Sequence, residues 1–346
     1  MRKSSLLILL FSFTALIIAQ QKPVTKPQTT KPVEQTMESS SGKFIGSMFN
    51  DLFYVIQEPK AGNLSKTTSG RNADILRRAN IGYEYFYSKD VTAMIVYDAS
   101  ANVLQQGFAE IRNLGPMMDL KVGLSQTLSS ETVDKIWEYR SLDATVLDKN
   151  GMTNEFDMGL TLTGRMNSQG TTYAKLAVYN GSGTAPENDK LKKLALGIGN
   201  WFDKSSVLDL YVDYENVGAG RSTITAKAFF GMIASKYTFG VEGFYRMNRK
   251  FAGTKDVVPA GGSLFGWMEM MKATRFVLRV DMVDPDLNVS STGYRELYLN
   301  AGVDYAPVAN VHLIPNFGYV KELKKGSGTD IADNMTFRLT TSVNIK

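Results

Sequence analysis

Hydrophobic and polar side chains alternate residue by residue along most of the chain. In the clearest segment, 155–166, the apolar positions are Phe156, Met158, Leu160, Leu162 and Met166. The alternation recurs in 207–215, 274–283 and 335–345. A period of two predicts β-strands with one apolar and one polar face. Each segment has about the 9–11 residues that a tilted membrane-spanning strand needs.

Candidate strands of this kind follow one another to the end of the chain. We expect sixteen, near 44–57, 75–87, 91–99, 105–113, 118–126, 155–166, 171–180, 192–202, 206–215, 222–233, 236–247, 262–271, 274–283, 294–305, 309–320 and 334–346. An even number lets an antiparallel barrel close with both chain ends on one side. The pattern therefore predicts an all-β fold, a transmembrane antiparallel β-barrel of about 16 strands.

The connections between these strands alternate in length. Every second connection, such as 88–90 or 167–170, has four residues or fewer, whereas the others are longer and reach 28 residues in 127–154. Short turns at one end and long loops at the other are typical of bacterial outer-membrane barrels. We therefore expect short periplasmic turns and long external loops. The alternative is a soluble β-sandwich, whose strands also alternate.

The polar face of the predicted strands carries many charges. A barrel of sixteen strands is too wide for side chains to fill, so this face lines a water-filled lumen. The cations predicted to line it are Arg78, Arg112, Lys121, Arg165, Lys175, Arg275 and Arg279, with Lys227, Arg246 and Arg338 on the same parity. The acidic residues predicted there are Glu84, Glu155, Asp157, Asp209, Asp213, Glu242 and Asp281.

Two residues do not fit the alternation. Arg77 falls on the lipid parity of its strand, and we expect it at the external end, where its long stem reaches the membrane interface. Pro315 lies inside a predicted strand and removes a ladder donor. It marks either a bulge or a displaced strand boundary.

The third long connection, 127–154, has an apolar stripe of its own. Val133, Ile136, Trp137 and Leu142 recur at helix-like spacing. We expect the segment to fold into the barrel and narrow it, which would place the charge of Arg140 in the constriction, where charge sign tunes selectivity. The alternative is a loop packed on the barrel rim.

The N-terminal part differs in composition from the rest. A basic start and an apolar run predict a signal peptide over 1–19, with cleavage after Ala19. Residues 20–43 are rich in Pro, Thr, Lys and Ser, which predicts a disordered periplasmic linker. The barrel is expected over 44–346. An uncleaved N-terminal anchor is the alternative reading of 1–19.

Composition narrows the functions. The chain has no cysteine and one histidine, His312, which excludes a thiol nucleophile and a metal site built on several histidines. We therefore predict no enzymatic activity and no cofactor. The formal net charge is +5, but residues from Phe44 onward contribute only +1. Nucleic acid is accordingly not an expected partner.

Several short motifs follow one another along the chain. They are 75–79 (ILRRA), 121–124 (KVGL), 137–142 (WEYRSL), 157–160 (DMGL) with Gly164, and 179–183 (YNGSG) with Tyr173. In their order and spacing they resemble the phosphate-selective porin O and P family of outer-membrane porins. The resemblance implies a 16-stranded homotrimeric anion channel with a basic lumen and an infolded third loop. It also implies that Arg78, Lys121, Arg140 and Arg165 face the pore. The chain departs from such barrels in ending Ile345-Lys346 without a terminal aromatic residue.

The predicted function is passive diffusion of small hydrophilic solutes or anions, with phosphate as the anion that the resemblance implies. The expected location is the outer membrane of a Gram-negative-type bacterium, with the lipid bilayer as a partner. Acidic residues on the lumen parity are about as numerous as basic ones, so we expect at most a mild anion preference. The alternative is a structural or adhesive barrel without significant channel activity.

Overall fold

A computed structural model describes residues 40–57, 72–187, 189–327 and 333–345. The strands are β1 (Ser41–Gln57), β2 (Asn72–Phe86), β3 (Val91–Asp98), β4 (Val103–Gly115), β5 (Met118–Gln126), β6 (Phe156–Arg165), β7 (Thr172–Tyr179), β8 (Lys193–Trp201), β9 (Ser206–Gly218), β10 (Arg221–Ala234), β11 (Tyr237–Ala252), β12 (Lys255–Val257), β13 (Ala260–Met271), β14 (Thr274–Asp284), β15 (Tyr294–Val308), β16 (Val311–Lys324) and β17 (Asn334–Ile345). Two helices, α1 (Glu131–Trp137) and α2 (Val146–Lys149), lie between β5 and β6.

The strands form one closed antiparallel sheet. Each strand pairs with the next along the chain, and β1 pairs with both β2 and β17, which closes the ring. The three-residue β12 pairs with the end of β11, while β11 pairs directly with β13. Sixteen strands therefore make the barrel wall, which confirms the predicted fold class and all sixteen strand positions.

The two ends of the barrel differ as expected, although not at every connection. We call the end at which β1 begins and β17 ends the turn end and the opposite end the loop end. Residues 219–220 alone join β9 to β10 at the loop end, where a longer loop was expected, and 166–171 make a turn longer than four residues. The tight hairpin is feasible because Gly218, Ala219 and Gly220 all have positive φ.

The predicted N-terminal segments lie mostly outside the described residues. The signal peptide over 1–19 falls there entirely, as does the linker up to residue 39. The first strand begins at Ser41, three residues before the predicted start of the barrel. No helix among the described residues is long and apolar enough to span a membrane.

The outer face of the barrel is apolar and carries two belts of aromatic residues. Leu, Ile, Val and Met side chains lie exposed between the belts, for example Leu208, Leu210 and Val212 of β9. Exposed aromatic residues near the turn end are Phe44, Tyr83, Tyr85, Tyr87, Phe202, Tyr237 and Tyr305, and those toward the loop end are Tyr54, Tyr97, Tyr214 and Tyr245. An apolar band between aromatic girdles is the surface of a barrel that sits in lipid.

A β-bulge in β2 turns Arg77 to the inside, so its predicted lipid-facing position is wrong. Phe49 pairs with Arg78 and the next residue, Asn50, pairs with Leu76, which leaves Arg77 as an extra residue in the strand. Bulges shift the side-chain alternation by one position. Arg77 accordingly bonds to the carboxylate of Asp51, which lies on the inner face of β1.

Pro315 lies within β16, where it pairs with Leu339 of β17. On its other side, the pairing of β15 with β16 is interrupted between Gly302↔Asn316 and Tyr305↔Leu313. Strand β16 therefore continues on both sides of Pro315, with bounds shifted by two and four residues from the predicted 309–320, and the missing amide hydrogen coincides with a gap in the ladder.

Candidate functional site in the barrel lumen

Residues 127–155, which we call the inner loop, fold into the barrel and not onto its rim. Helix α1 supplies Val133, Ile136 and Trp137 at positions one turn apart, which puts them on one helix face. That face and the following residues Tyr139 and Leu142 are buried. They pack on side chains of five wall strands, namely Val207, Phe229, Phe265, Trp267, Val277 and Ile314.

This apolar part of the wall was missed by the sequence analysis, which assigned a polar inner face throughout. Trp137 makes an edge contact with Phe265, with ring centroids 5.2 Å apart, and Phe229 stacks on Phe265 at 6.1 Å. The signal was an uninterrupted apolar run, 264–268 (LFGWM), in β13. Such a run indicates a strand buried on both faces.

Arg140 is the centre of an ion-pair network that holds the inner loop together. Its guanidinium pairs with Asp148, lies 3.4 Å from Asp134, and lies 2.6 Å from Glu155. Glu155 also pairs with Arg78 of the wall at 2.9 Å, so the loop and β2 share one carboxylate. Burial raises the pKa of Asp134 to about 6, against the opposing effect of Arg140. Both predicted cations face the lumen and are neutralised there.

Lys121 and Lys175 come from separate strands and meet one carboxylate of the inner loop. The ammonium of Lys175 lies 2.6 Å from Glu131, and that of Lys121 lies 3.9 Å from Glu131 and 3.8 Å from Glu110. Both strands thus hold the start of α1 against the wall. Their charges face the lumen and are balanced by these partners.

Arg112 and Arg165 lie at the turn end of the lumen. Arg112 lies 3.1 Å from Glu110 of its own strand, and its side chain is 53% exposed. Arg165 lies 3.2 Å from Asp119 of the neighbouring strand.

Arg275 and Arg279 of β14 both face the lumen. Arg275 lies over the Trp267 ring at 3.9 Å and lies 3.6 Å from Glu138 of the inner loop. Arg279 is 1% exposed beneath the loop, where it forms three hydrogen bonds with Asp281 and one with a loop carbonyl. The eight cations described so far thus each have a carboxylate partner, whereas Arg246, predicted on the same lumen parity, has none within ion-pair distance among the described residues.

His312 takes part in the anchoring of the inner loop. Its Nδ1 lies 2.9 Å from Asp304 Oδ2, and the same carboxylate oxygen accepts a 2.7 Å hydrogen bond from the Tyr139 hydroxyl. The histidine is on the inner face of β16, as expected. Within the described residues, no group of three or more His, Cys, Asp or Glu side chains is arranged to hold a metal ion.

A second ion pair lies in the part of the inner loop around helix α2. Lys149 of α2 lies 2.9 Å from Asp143. Although burial alone would raise it, the positive charges of Lys149, Arg279 and Arg338 hold the pKa of Asp143 well below its usual range. The carboxylate therefore stays ionised and ties α2 to the preceding segment of the inner loop.

Two cavities remain open beside the inner loop on the loop-end side. The large cavity has a volume of about 820 Å³ and the small cavity about 270 Å³. Gly151, Met152, Arg246 and Phe251 line both of them, so the end of the loop and the side chain of Arg246 form the partition between them. The charged residues of the two linings are Arg77, Lys149, Lys193, Arg221, Arg246, Arg338, Asp51, Asp143, Glu215 and Glu296.

These linings contain more positive than negative charge. Six of the ten charged residues are Lys or Arg. Of the six, Lys149, Lys193 and Arg221 were not singled out by the sequence analysis, and Arg77 was assigned to the lipid face. Lys193 and Arg221 stand at the loop end of β8 and β10. Strand parity could have found Lys193, which alternates with exposed Leu194 and Leu196.

Comparisons with known proteins find solved structures with a similar fold, but no matching sequence family. No protein-family model matches the chain, and no curated protein sequence matches it. An anion-selective porin from Comamonas acidovorans superimposes with a TM-score of 0.66 at 9% identity, over 89% of this chain and 100% of the porin.

Two further solved structures are similar to the same extent. The outer-membrane channel DcaP of Acinetobacter baumannii gives a TM-score of 0.64 at 12% identity, over 88% of this chain and 97% of that one. OmpT of Vibrio cholerae, an outer-membrane protein, gives 0.64 at 10% identity, over 88% and 98%. At these identities the likeness establishes the fold, and the chain has the 16-stranded barrel fold of outer-membrane porins.

Proposed function

We propose that this protein is an outer-membrane porin through which small hydrophilic solutes diffuse passively. The observation that carries the proposal is the two-faced barrel, which is apolar with aromatic belts outside and charged inside around an infolded loop. The similarity in fold to solved porins and channels supports it. An interior of hydrated and paired charges suits the passage of polar solutes, and nothing in the arrangement requires covalent chemistry or a cofactor.

The proposed selectivity is a mild preference for anions. The excess of basic residues in the two loop-end cavities supports it. The carboxylate partners of most predicted lumen cations limit its strength, because a neutralised cation contributes little net field in the lumen. Phosphate, which the resemblance to the phosphate-selective porin O and P family implies, is one of the small anions that such a pore would admit.

The proposed setting follows from the same surface. The apolar outer face would contact the lipids of the outer membrane of a Gram-negative-type bacterium, with the short turns toward the periplasm. Export would use residues 1–19 as a signal peptide, and the linker would run from residue 20 to the start of β1 at Ser41. A homotrimer is the assembly that the resemblance implies.

Conductance of the purified protein in planar bilayers tests the proposal. We expect discrete channels in KCl and, across a KCl gradient, a reversal potential displaced modestly toward that of chloride. A clear cation preference would contradict the proposed selectivity. A folded barrel that inserts without any channel activity would contradict the porin assignment and favour a structural or adhesive role.

A further inference from the structure

Arg246 differs from the other cations of the large cavity in its lack of a carboxylate partner. Among the described residues, no carboxylate lies within the 4.0 Å ion-pair distance of its guanidinium, whereas Arg77 pairs with Asp51 and Lys149 pairs with Asp143. A guanidinium left without a counter-charge inside a barrel is a strong donor for an incoming anion.

The hydrogen bonds of Arg246 hold the side chain in place but use only neutral acceptors. Its Nε donates to Asn248 at 2.7 Å, and its Nη1 donates to the main-chain oxygen of Met152 and to the hydroxyl of Thr225. The planar group is thus preorganised by β10, β11 and the inner loop, while no carboxylate of the described residues contacts it directly. Preorganisation lowers the entropic cost of binding a ligand at this position.

The walls next to Arg246 are apolar. Met152, Phe251, Val257, Pro259, Val283 and Pro285 line the large cavity together with it. The volume of about 820 Å³ is in the range of small-molecule sites, which are mostly apolar with a few fixed polar groups. A small inorganic ion would leave most of this apolar surface in contact with water.

Arg221 supplies a second positive charge beside Arg246. Arg221 lies over the Phe251 ring at 5.3 Å, and both residues line the small cavity on the other side of Arg246. Among the described residues, no carboxylate forms an ion pair with Arg221 either. Two guanidinium groups without a direct carboxylate partner in the described part of the chain therefore lie at the partition, and Arg221 has an aromatic ring beside it.

We propose that the large cavity binds organic carboxylates that carry an apolar body, with the carboxylate on Arg246 and the body on the surrounding apolar side chains. The proposal deepens the porin function and rests on it, because the cavity would then be the binding step of a solute on its way through the lumen. Planar recognition of a carboxylate is a property of arginine that lysine lacks.

Binding of benzoate to the detergent-purified, folded full-length protein tests this, with saturation-transfer NMR as the readout. We expect saturable binding, weakened at least tenfold in Arg246→Gln because a hydrogen bond to a charged group is lost. Arg249→Gln is the matched control, since it removes the same charge from the outer face of the same strand, three residues away. Benzoate affinity in that control should stay within twofold of the unsubstituted protein.

Two other probes separate the charge from the apolar body. Benzyl alcohol keeps the ring without the charge, and inorganic phosphate keeps a charge without the ring. We expect each to bind or compete at least tenfold more weakly than benzoate. Phosphate that competes as well as benzoate would overturn the proposal in favour of a general anion site. Benzyl alcohol that binds as well as benzoate would overturn the role of Arg246.

The outcome is distinguishable from a failure of the porin function. Conductance in KCl is measured on the same preparations. Channels without saturable benzoate binding, or with equal binding in Arg246→Gln, would overturn this site and leave the porin assignment intact. Benzoate binding without any channel activity would support the site and contradict the porin.

Discussion

At the scale of single residues, most cations predicted for the inside of this barrel form ion pairs with carboxylates of the chain itself and are therefore not free to contact solutes. Arg140 illustrates this, since its charge was expected to tune the constriction and instead pairs with Asp134, Asp148 and Glu155. Its side chain is only 16% exposed. Sequence parity indicates which face a residue occupies, but it carries no information on which opposite charge will meet it.

We predict that Arg140→Gln loosens the inner loop. Removal of one partner of a buried ion-pair network costs about 3–5 kcal/mol, because the remaining charges stay buried without it. The measurement uses a single reporter cysteine, Ile136→Cys, in this chain that has no native cysteine. Residue 136 of helix α1 is fully buried against the lumen wall, so thiol labelling there requires the loop to detach. We expect labelling at least tenfold faster in the Arg140→Gln background.

Arg112→Gln is the control for that experiment. Arg112 is exposed at the turn end and pairs only with Glu110, so its loss should change the labelling rate little. A further background, Arg140→Gln with Asp148→Asn, removes one of the stranded carboxylates and should recover part of the protection. Equal labelling in all backgrounds would show that the network does not hold the loop.

At the scale of elements, strands were predictable and their inner surface was not. Every barrel strand has lipid on one side, which forces a period of two that can be read from residues alone. The inner side faces water in some places and the inner loop in others, so its polarity depends on tertiary structure. The bulge at Arg77 was equally hidden, because a one-residue shift changes the facing of a side chain without changing composition.

The sequence shows the apolar stripe of helix α1, but it does not show the surface on which the stripe packs. Trp137 is 1% exposed and contacts Tyr139 and Phe265 at centroid distances of 5.7 and 5.2 Å. Its surroundings come from strands more than sixty residues away in sequence, such as β10 and β13. The stripe could therefore predict that the segment packs somewhere, while the choice between lumen and rim needed coordinates.

We predict that Trp137→Ala releases the inner loop and enlarges the open pore. Replacing a fully buried aromatic side chain by alanine costs about 3–5 kcal/mol in lost contacts and cavity formation. The expected result is a higher single-channel conductance in KCl together with a weaker ion preference, both measured in planar bilayers. Phe202→Ala, which truncates an exposed aromatic residue in a turn, is the control and should leave the conductance unchanged. A Trp137→Ala channel with unaltered conductance would mean that the loop does not restrict flow.

At the scale of the whole molecule, the barrel depends on a seam where its first and last strands meet. Strand β1 pairs with β17 from Gly46↔Ile345 to Gln57↔Met335, so the ring closes only after nearly the whole chain is in place. Asp51 lies on the inner side of this seam and is 3% exposed. It accepts a 2.6 Å hydrogen bond from Thr340 of β17 and pairs with Arg77 of β2, with Arg338 of β17 at 4.0 Å. One carboxylate thus connects three consecutive strands of the closed ring.

We predict that Asp51→Asn lowers the stability of the closed barrel by about 3 kcal/mol, because two guanidinium groups lose their shared counter-charge. The measurement is urea unfolding in lipid vesicles, followed by the mobility difference between folded and unfolded forms. Asn50→Ala is the matched control, since Asn50 is the adjacent residue on the outer face of β1 and forms no part of this network. If Asp51→Asn unfolded at the same urea concentration as Asn50→Ala, closure would rest on backbone pairing alone and the inner charges at the seam would serve only the lumen.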